Sequence, residues 1–350
     1  MMIKNLRLLY FTLAAVIIFT FPSASGNVFA SAALSEQSLL FEEPSTEFNV
    51  DLAKFSLLLS SAAYGDTNEN IEKILTGYSF VNDSVYDNAS YEKASKSGTN
   101  LAAYSFAQKK IRCENKDYTL IAVVIRGTNG DNEWLSNFNV NDSGNYPAVH
   151  EGFSKAKQAL LTDLTSYVNN LDLDITKTKL LITGHSRGAA VANLLAADLS
   201  KTHKLALQSN IYCYTFATPN VAKIGTSNYL NIFNGVNPAD IITEIPLTTW
   251  GYGKYGVNYS LPEASQLSQE ELDEEQKLLT QLTAMAPTVK DFYNAKLSIL
   301  LFQKKLIPDG TANAHTPERY EKWLNQADPK KLSEQVFELQ LKLIPDTNYA

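Results

Sequence analysis

The sequence predicts an α/β fold: a mostly parallel central sheet flanked by helices, with a helical insertion late in the chain. Three observations predict it. Strand-like apolar runs alternate with helical patterns across residues 118–245, the order that builds a parallel sheet covered on both faces. The runs at 118–125 and 211–218 are dominated by apolar and aromatic residues, as in strands with no solvent face. Finally, an apolar run at 179–183 enters Gly184-His-Ser-Arg-Gly188 and continues as Ala-rich sequence, so a strand turns sharply into a helix there.

Taken in order, residues 51–64 carry apolar side chains at helical spacing and stop at Gly65-Asp66. Residues 101–112 and 118–125 read as a β-hairpin around Cys-Glu-Asn-Lys-Asp. A polar stretch follows to about Ala148, long for a plain connection and carrying Trp134, Leu135 and Phe138. Residues 151–169 read as a helix, 179–183 as a strand, 189–199 as a helix, and 211–218 and 229–233 as further strands. From Ser265 to Leu306 leucines and other apolar residues recur at three- and four-residue steps, broken by Pro287. That pattern predicts two amphipathic helices within an insertion at about 261–312. Short helices close the chain, one at about 317–324 and another in the tail.

The first thirty residues stand apart. Lys4 and Arg7 precede an apolar stretch from Leu8 to Phe21, and a Val-Phe-Ala site ends at Ala30. This reads as a signal peptide over residues 1–30, with one domain over 31–350, and places the protein outside the cytoplasm. The 350 residues are 45% hydrophobic, enough for one large core. The formal charge of −7 becomes about −9 without Lys4 and Arg7, which argues against a nucleic-acid partner. Two cysteines, Cys113 and Cys213, form neither a disulfide framework nor a zinc site by themselves. A single bridge between them and two buried thiols remain as alternatives.

A Gly-X-Ser-X-Gly turn between strand and helix is where a serine nucleophile is held clear of its own backbone, so Ser186 is the candidate nucleophile. It needs a base, an orienting acid and donors for the developing oxyanion. Four histidines are present. His185 neighbours the serine and points away from it, so packing or a bond that supports the site from behind is its expected role. His203 follows the next helix, toward the far end of the sheet. The chain order Ser, Asp, His of this architecture favours His315 as base, with His150 the alternative. Asp240 follows a strand beyond the elbow and is the candidate acid. Asp198 reads as a solvated helical charge and Asp309 as part of a Pro-Asp-Gly turn. Thr128, after the strand beside the elbow, and Arg187, next to the serine, can offer backbone N–H groups to an oxyanion. The Arg187 side chain is expected to face solvent or pair with a carboxylate. Trp134 and His150 are candidates for substrate contact.

Seven ordered segments carry a family resemblance: 124–128 (VIRGT), 132–137 (NEWLSN), 149–153 (VHEGF), 184–188 (GHSRG), 215–221 (TFATPNV), 237–242 (NPADII), and His315 with Tyr320. The chain resembles the class 3, fungal-type lipases over about 200 residues. The resemblance implies an α/β-hydrolase fold and a Ser186–His315–Asp240 triad, with Thr128 and Arg187 as oxyanion donors. It also implies a lid after Thr128 and action on acylglycerols or related esters, with a lipid–water interface as the candidate setting, and no metal or cofactor. The chain departs from that family in Arg187, often a Leu there, in the polar character of the stretch after Thr128, and in the helices at 265–306. Three functions remain: a secreted lipid esterase, a non-lipid (feruloyl-type) esterase or acyltransferase, and a non-catalytic surface protein that keeps the fold.

Overall fold

A computed structural model describes residues 38–96, 101–128, 149–223, 229–288 and 314–344. The predicted signal peptide, Trp134, Asp309 and the second insertion helix lie outside the described residues.

Nine strands are described: β1 (Val81–Asn82), β2 (Tyr104–Cys113), β3 (Lys116–Ile125), β4 (Thr178–His185), β5 (Ile211–Phe216), β6 (Ala222–Lys223), β7 (Ile232–Val236), β8 (Tyr252–Gly253) and β9 (Val257–Ser260). Seven form one sheet in the order β1-β2-β3-β4-β5-β7-β9. The first two pairings are antiparallel and the other four parallel. The hairpin joining β2 and β3 turns at Glu114 and Asn115, both at positive φ (46° and 64°). Two consecutive positive-φ residues match the right-handed twist of the flanking strands. β6 and β8 pair as a separate ribbon, which bears on the site below.

The helices are α1 (Val50–Ala62), α2 (Glu69–Gly77), α3 (Ser84–Lys96), α4 (Glu151–Asn170), α5 (Arg187–Thr202), α6 (Gln269–Met285), α7 (Pro317–Gln326) and α8 (Pro329–Leu343). Successive side chains of β3 separate into two cores, because side chains alternate across a sheet. Leu120, Ala122 and Val124 join α1, α7 and α8 on one face. Ile121, Val123 and Ile125 join α4 and α5 on the other. Caps end the helices where the sequence supplies oxygens or proline. Asn49 accepts from Leu52 N ahead of α1, Ser268 and Glu271 form a capping box at α6, and Thr316 with Pro317 opens α7.

The structure decides between the two cysteine alternatives and shifts one strand boundary. Both cysteines are free and buried; Cys113 belongs to one core and Cys213 to the other, so the sheet separates them. The strand expected at 229–233 runs from Ile232 to Val236, its register set by pairing with β5 and β9. The helices α2 and α3 and the edge strand β9 had no reading; α3 is mostly polar and β9 has four residues, too little periodicity to be seen. Of the insertion, α6 buries Leu278 and Leu282 against Ile241, Ile242, Ile245 and Leu247. It therefore lies on the segment directly after Asp240.

Candidate active site

The site begins with two glycines that allow a strand and a helix to touch. A Cβ at Gly184 would lie 2.4 Å from the Gly188 carbonyl carbon, and one at Gly188 would lie 2.2 Å from the Ile125 oxygen. Neither overlap is tolerable, so α5 closes on β4 and β3 only with glycine at both places. Between them Ser186 has φ 57° and ψ −126°. That is a strained conformation for a residue with a Cβ, costing on the order of 1–3 kcal/mol. Two backbone bonds over-determine it: Ser186 N donates to Phe216 O on β5 at 3.0 Å, and its carbonyl accepts from Ala190 N at 3.1 Å.

Parallel pairing then brings distant segments to the same sheet edge. Asp240 lies four residues beyond β7 and caps the 3-10 turn Ile241–Glu244, its Oδ1 accepting from Ile242 N at 3.1 Å. His315 lies just before α7. The Asn237 amide donates to the Ala314 carbonyl at 3.0 Å and ties the two segments together. His315 Nδ1 meets Asp240 Oδ2 at 2.8 Å, and His315 Nε2 meets Ser186 Oγ at 2.8 Å. A carboxylate only accepts, so Nδ1 carries the proton and Nε2 is left to accept from the serine hydroxyl. Asp240 is buried, and Tyr320 OH donates to the same Oδ2 at 2.9 Å. That hydroxyl also accepts from Asn237 N at 3.0 Å. Burial and the Asp240 charge hold the Tyr320 phenol well above its usual range, so it stays a donor.

The loop after β3 and the first turn of α5 meet beside the elbow, where the sequence placed the candidate oxyanion donors. Ile125 pairs with Gly184 across β3 and β4, which brings Arg126-Gly127-Thr128 beside the elbow. Gly127 touches the Tyr64 hydroxyl so closely that a Cβ would stand 2.0 Å from it. That hydroxyl is bonded to His185 Nδ1 at 2.8 Å. Burial, and secondarily the neighbouring His315, pulls His185 well below the ordinary imidazole range, so it is neutral. Thr128 is buried. The backbone N–H of Arg187 heads α5, at the positive end of the helix dipole.

Other candidates fall elsewhere. The Arg187 side chain is buried and donates to the Leu101 carbonyl at 3.1 Å, so it does not face solvent. His150 caps α4, accepting from Phe153 N at 3.4 Å, and stacks on the Phe153 ring with centroids 3.8 Å apart. His203 is exposed at the end of α5, and Asp198 pairs with Lys157 at 2.7 Å. Tyr64 had no functional reading in the sequence, since it closes an ordinary amphipathic helix pattern and only folding brings it to His185. Among the described residues no group of His, Cys, Asp and Glu is arranged to hold a metal ion.

A serine on a strand–turn–helix elbow at the parallel edge of such a sheet, bonded to a histidine and through it to a buried aspartate, defines the α/β-hydrolase class. Within that class residues 122–250 match the family described as Lipase (class 3). The chain is 27% identical over 167 residues to the Rhizomucor miehei protein "Lipase", which spans 44% of this chain and 46% of that one. It is 27% identical over 150 residues to "Secreted mono- and diacylglycerol lipase 1" of Fusarium solani, covering 40% and 44%. These matches therefore span under half the length of those relatives. A solved Rhizomucor miehei triacylglyceride lipase superimposes with a TM-score of 0.43 at 20% identity, covering 62% of this chain and 81% of that one.

Proposed function

We propose that the protein is a secreted serine ester hydrolase acting on acylglycerols or related lipid esters. The observation that carries this reading is the unbroken hydrogen-bond chain from Ser186 through His315 to Asp240, at 2.8 Å for each step. In this reading Ser186 Oγ attacks the ester carbonyl while His315 Nε2 takes its proton. The tetrahedral oxyanion lies against the N–H groups of Thr128 and Arg187. His315 then returns the proton to the leaving alcohol, and the acyl group stays on Ser186. Water repeats the sequence and frees the acid, while Asp240 holds the imidazole tautomer throughout.

The lipid preference is supported by the class 3 lipase match over residues 122–250 and by the similarity to the relatives named above. Export rests on the basic, apolar and small-residue order of residues 1–30. The polar composition of 129–148 favours a second reading, a non-lipid carboxylesterase of feruloyl type or an acyltransferase using the same acyl-enzyme. Hydrolysis of p-nitrophenyl butyrate, emulsified triolein and methyl ferulate by the purified protein separates the two. Ser186→Ala is expected to lower butyrate turnover by about four to six decades with an unchanged melting temperature. Substantial residual turnover would mean another nucleophile and sink the triad.

A further inference from the structure

Lys254 is a buried cation for which the catalytic scheme has no use. Only 6% of it is exposed, and its Nζ donates to Asn220 Oδ1 at 2.9 Å and to the Thr243 carbonyl at 2.6 Å. The ribbon of β6 and β8 puts it there, since Ala222 pairs with Gly253 and Val221 N donates to Gly253 O at 2.8 Å. Asn220 in turn donates to the Pro246 carbonyl at 2.8 Å, and its own N–H reaches the Ile245 carbonyl at 3.1 Å. Lys254 and Asn220 therefore hold the backbone of residues 243–246 from beneath.

That backbone carries the acid of the triad. Thr243 N and Thr243 Oγ1 both donate to the Asp240 carbonyl, at 3.0 and 2.8 Å. An ammonium docked on the Thr243 carbonyl fixes the far end of the same turn. Both acceptors of Lys254 are neutral. The charged groups acting on it are Glu244 and Asp240, and Glu275 of α6 faces those same two carboxylates. The titratable groups facing Asp240 include His315 and Tyr320, which bond to its carboxylate, and Glu244, Glu275 and Lys254, which act on it through charge. A buried full charge costs several kcal/mol unless it interacts with opposite charge, and a Met or Leu would fill an apolar site more cheaply.

We propose that Lys254 is a positioning residue for Asp240: it locks the Ile241–Glu244 turn and places a fixed positive charge behind the triad. Burial draws its amine down to about 8, a fall opposed by Glu244 and Asp240, so the charge is present through the neutral range. A positive charge acting on Asp240 disfavours a second one on the imidazole that Asp240 holds. Its removal should make protonation of the base easier, which moves the acid limb of kcat/KM to higher pH.

The inference rests on the ester-hydrolase reading, so the experiment starts with wild type and Ser186→Ala on p-nitrophenyl butyrate. Absence of Ser186-dependent turnover defeats that reading itself. Given such turnover, pH profiles from 4 to 7.5 are recorded for Lys254→Met and for Lys254→Gln, the latter keeping a neutral donor in case the former does not fold. Expected are an upward shift of the acid limb by about half a unit to one unit, a kcat lower by roughly threefold to thirtyfold, and a KM within twofold. An acid limb within 0.2 unit of wild type in a folded variant, whatever its melting temperature, would overturn the proposal by making Lys254 a packing residue. Failure of both variants to fold would overturn it in the same way.

Discussion

The hydroxyl of Tyr320 donates to Asp240 Oδ2 at 2.9 Å, the same oxygen that meets His315 Nδ1 at 2.8 Å. One aspartate oxygen thus serves two donors from the two ends of a short segment, and the other oxygen closes a backbone turn. Tyr320→Phe removes a donor to a buried charge, a bond worth about 1.5–3 kcal/mol, and leaves Asn237 N without its acceptor. The expected result is a kcat lower by about tenfold with KM nearly unchanged, and a lower melting temperature. Unchanged kinetics on p-nitrophenyl butyrate would show that the tyrosine only packs.

The two histidines weighed as base should separate cleanly. His315→Ala and Asp240→Asn are each expected to lower kcat by about four decades, through loss of the base and loss of its orientation. His150→Ala removes a helix cap and a ring stack, so it should cost about 1 kcal/mol of stability with turnover within a few-fold. If His150→Ala abolishes turnover in a folded protein and His315→Ala does not, the assignment of the base is wrong.

Asp87 gives a stability prediction with a definite sign. Burial raises its carboxyl to about 8, secondarily opposed by the Phe106 N–H that Oδ1 accepts at 2.8 Å. The folded chain therefore keeps a proton that the unfolded chain loses near pH 4. This contribution is fully present below about pH 4 and is lost as pH rises to 8. Glu275, raised to about 7 chiefly by burial, acts in the same direction. Buried His185, held well below its usual range, acts oppositely, removing stability as pH falls through about 6.5. Asp87→Asn keeps the acceptor without the charge. It should raise the melting temperature at pH 8 by several degrees and leave it nearly unchanged at pH 4, as read by calorimetry at both pH values.

The insertion helix offers a test of core against cap. Leu278 is buried on the segment that follows Asp240, so Leu278→Ala should cost about 2–4 kcal/mol and depress long- and short-chain esters alike. Leu297, Leu300 and Leu301 lie outside the described residues. Changing them to Ser should weaken hydrolysis of palmitate esters far more than acetate esters if the second helix caps the acyl site. Equal losses on both esters, with a lower melting temperature, would assign them to the core.

Much of this protein was legible in the sequence because the decisive signals are local. A strand, Gly184, Ser186 and Gly188 form one contiguous turn whose sterics act over five residues. The parallel core of the sheet follows from apolar runs that read the same in any context. Asp240 and His315 were recoverable from chain order, as positions after particular strands. Tertiary structure alone decided which side chains meet across 121 positions to join Tyr64 to His185, and across 80 to join Tyr320 to Asp240. It also turned Arg187 inward and set Lys254 beneath the turn of Asp240. Tyrosine, arginine and lysine have the same residue-level signature whether they face solvent or a buried carbonyl. Only packing, which removes water and obliges each buried polar group to find a partner, tells the two apart.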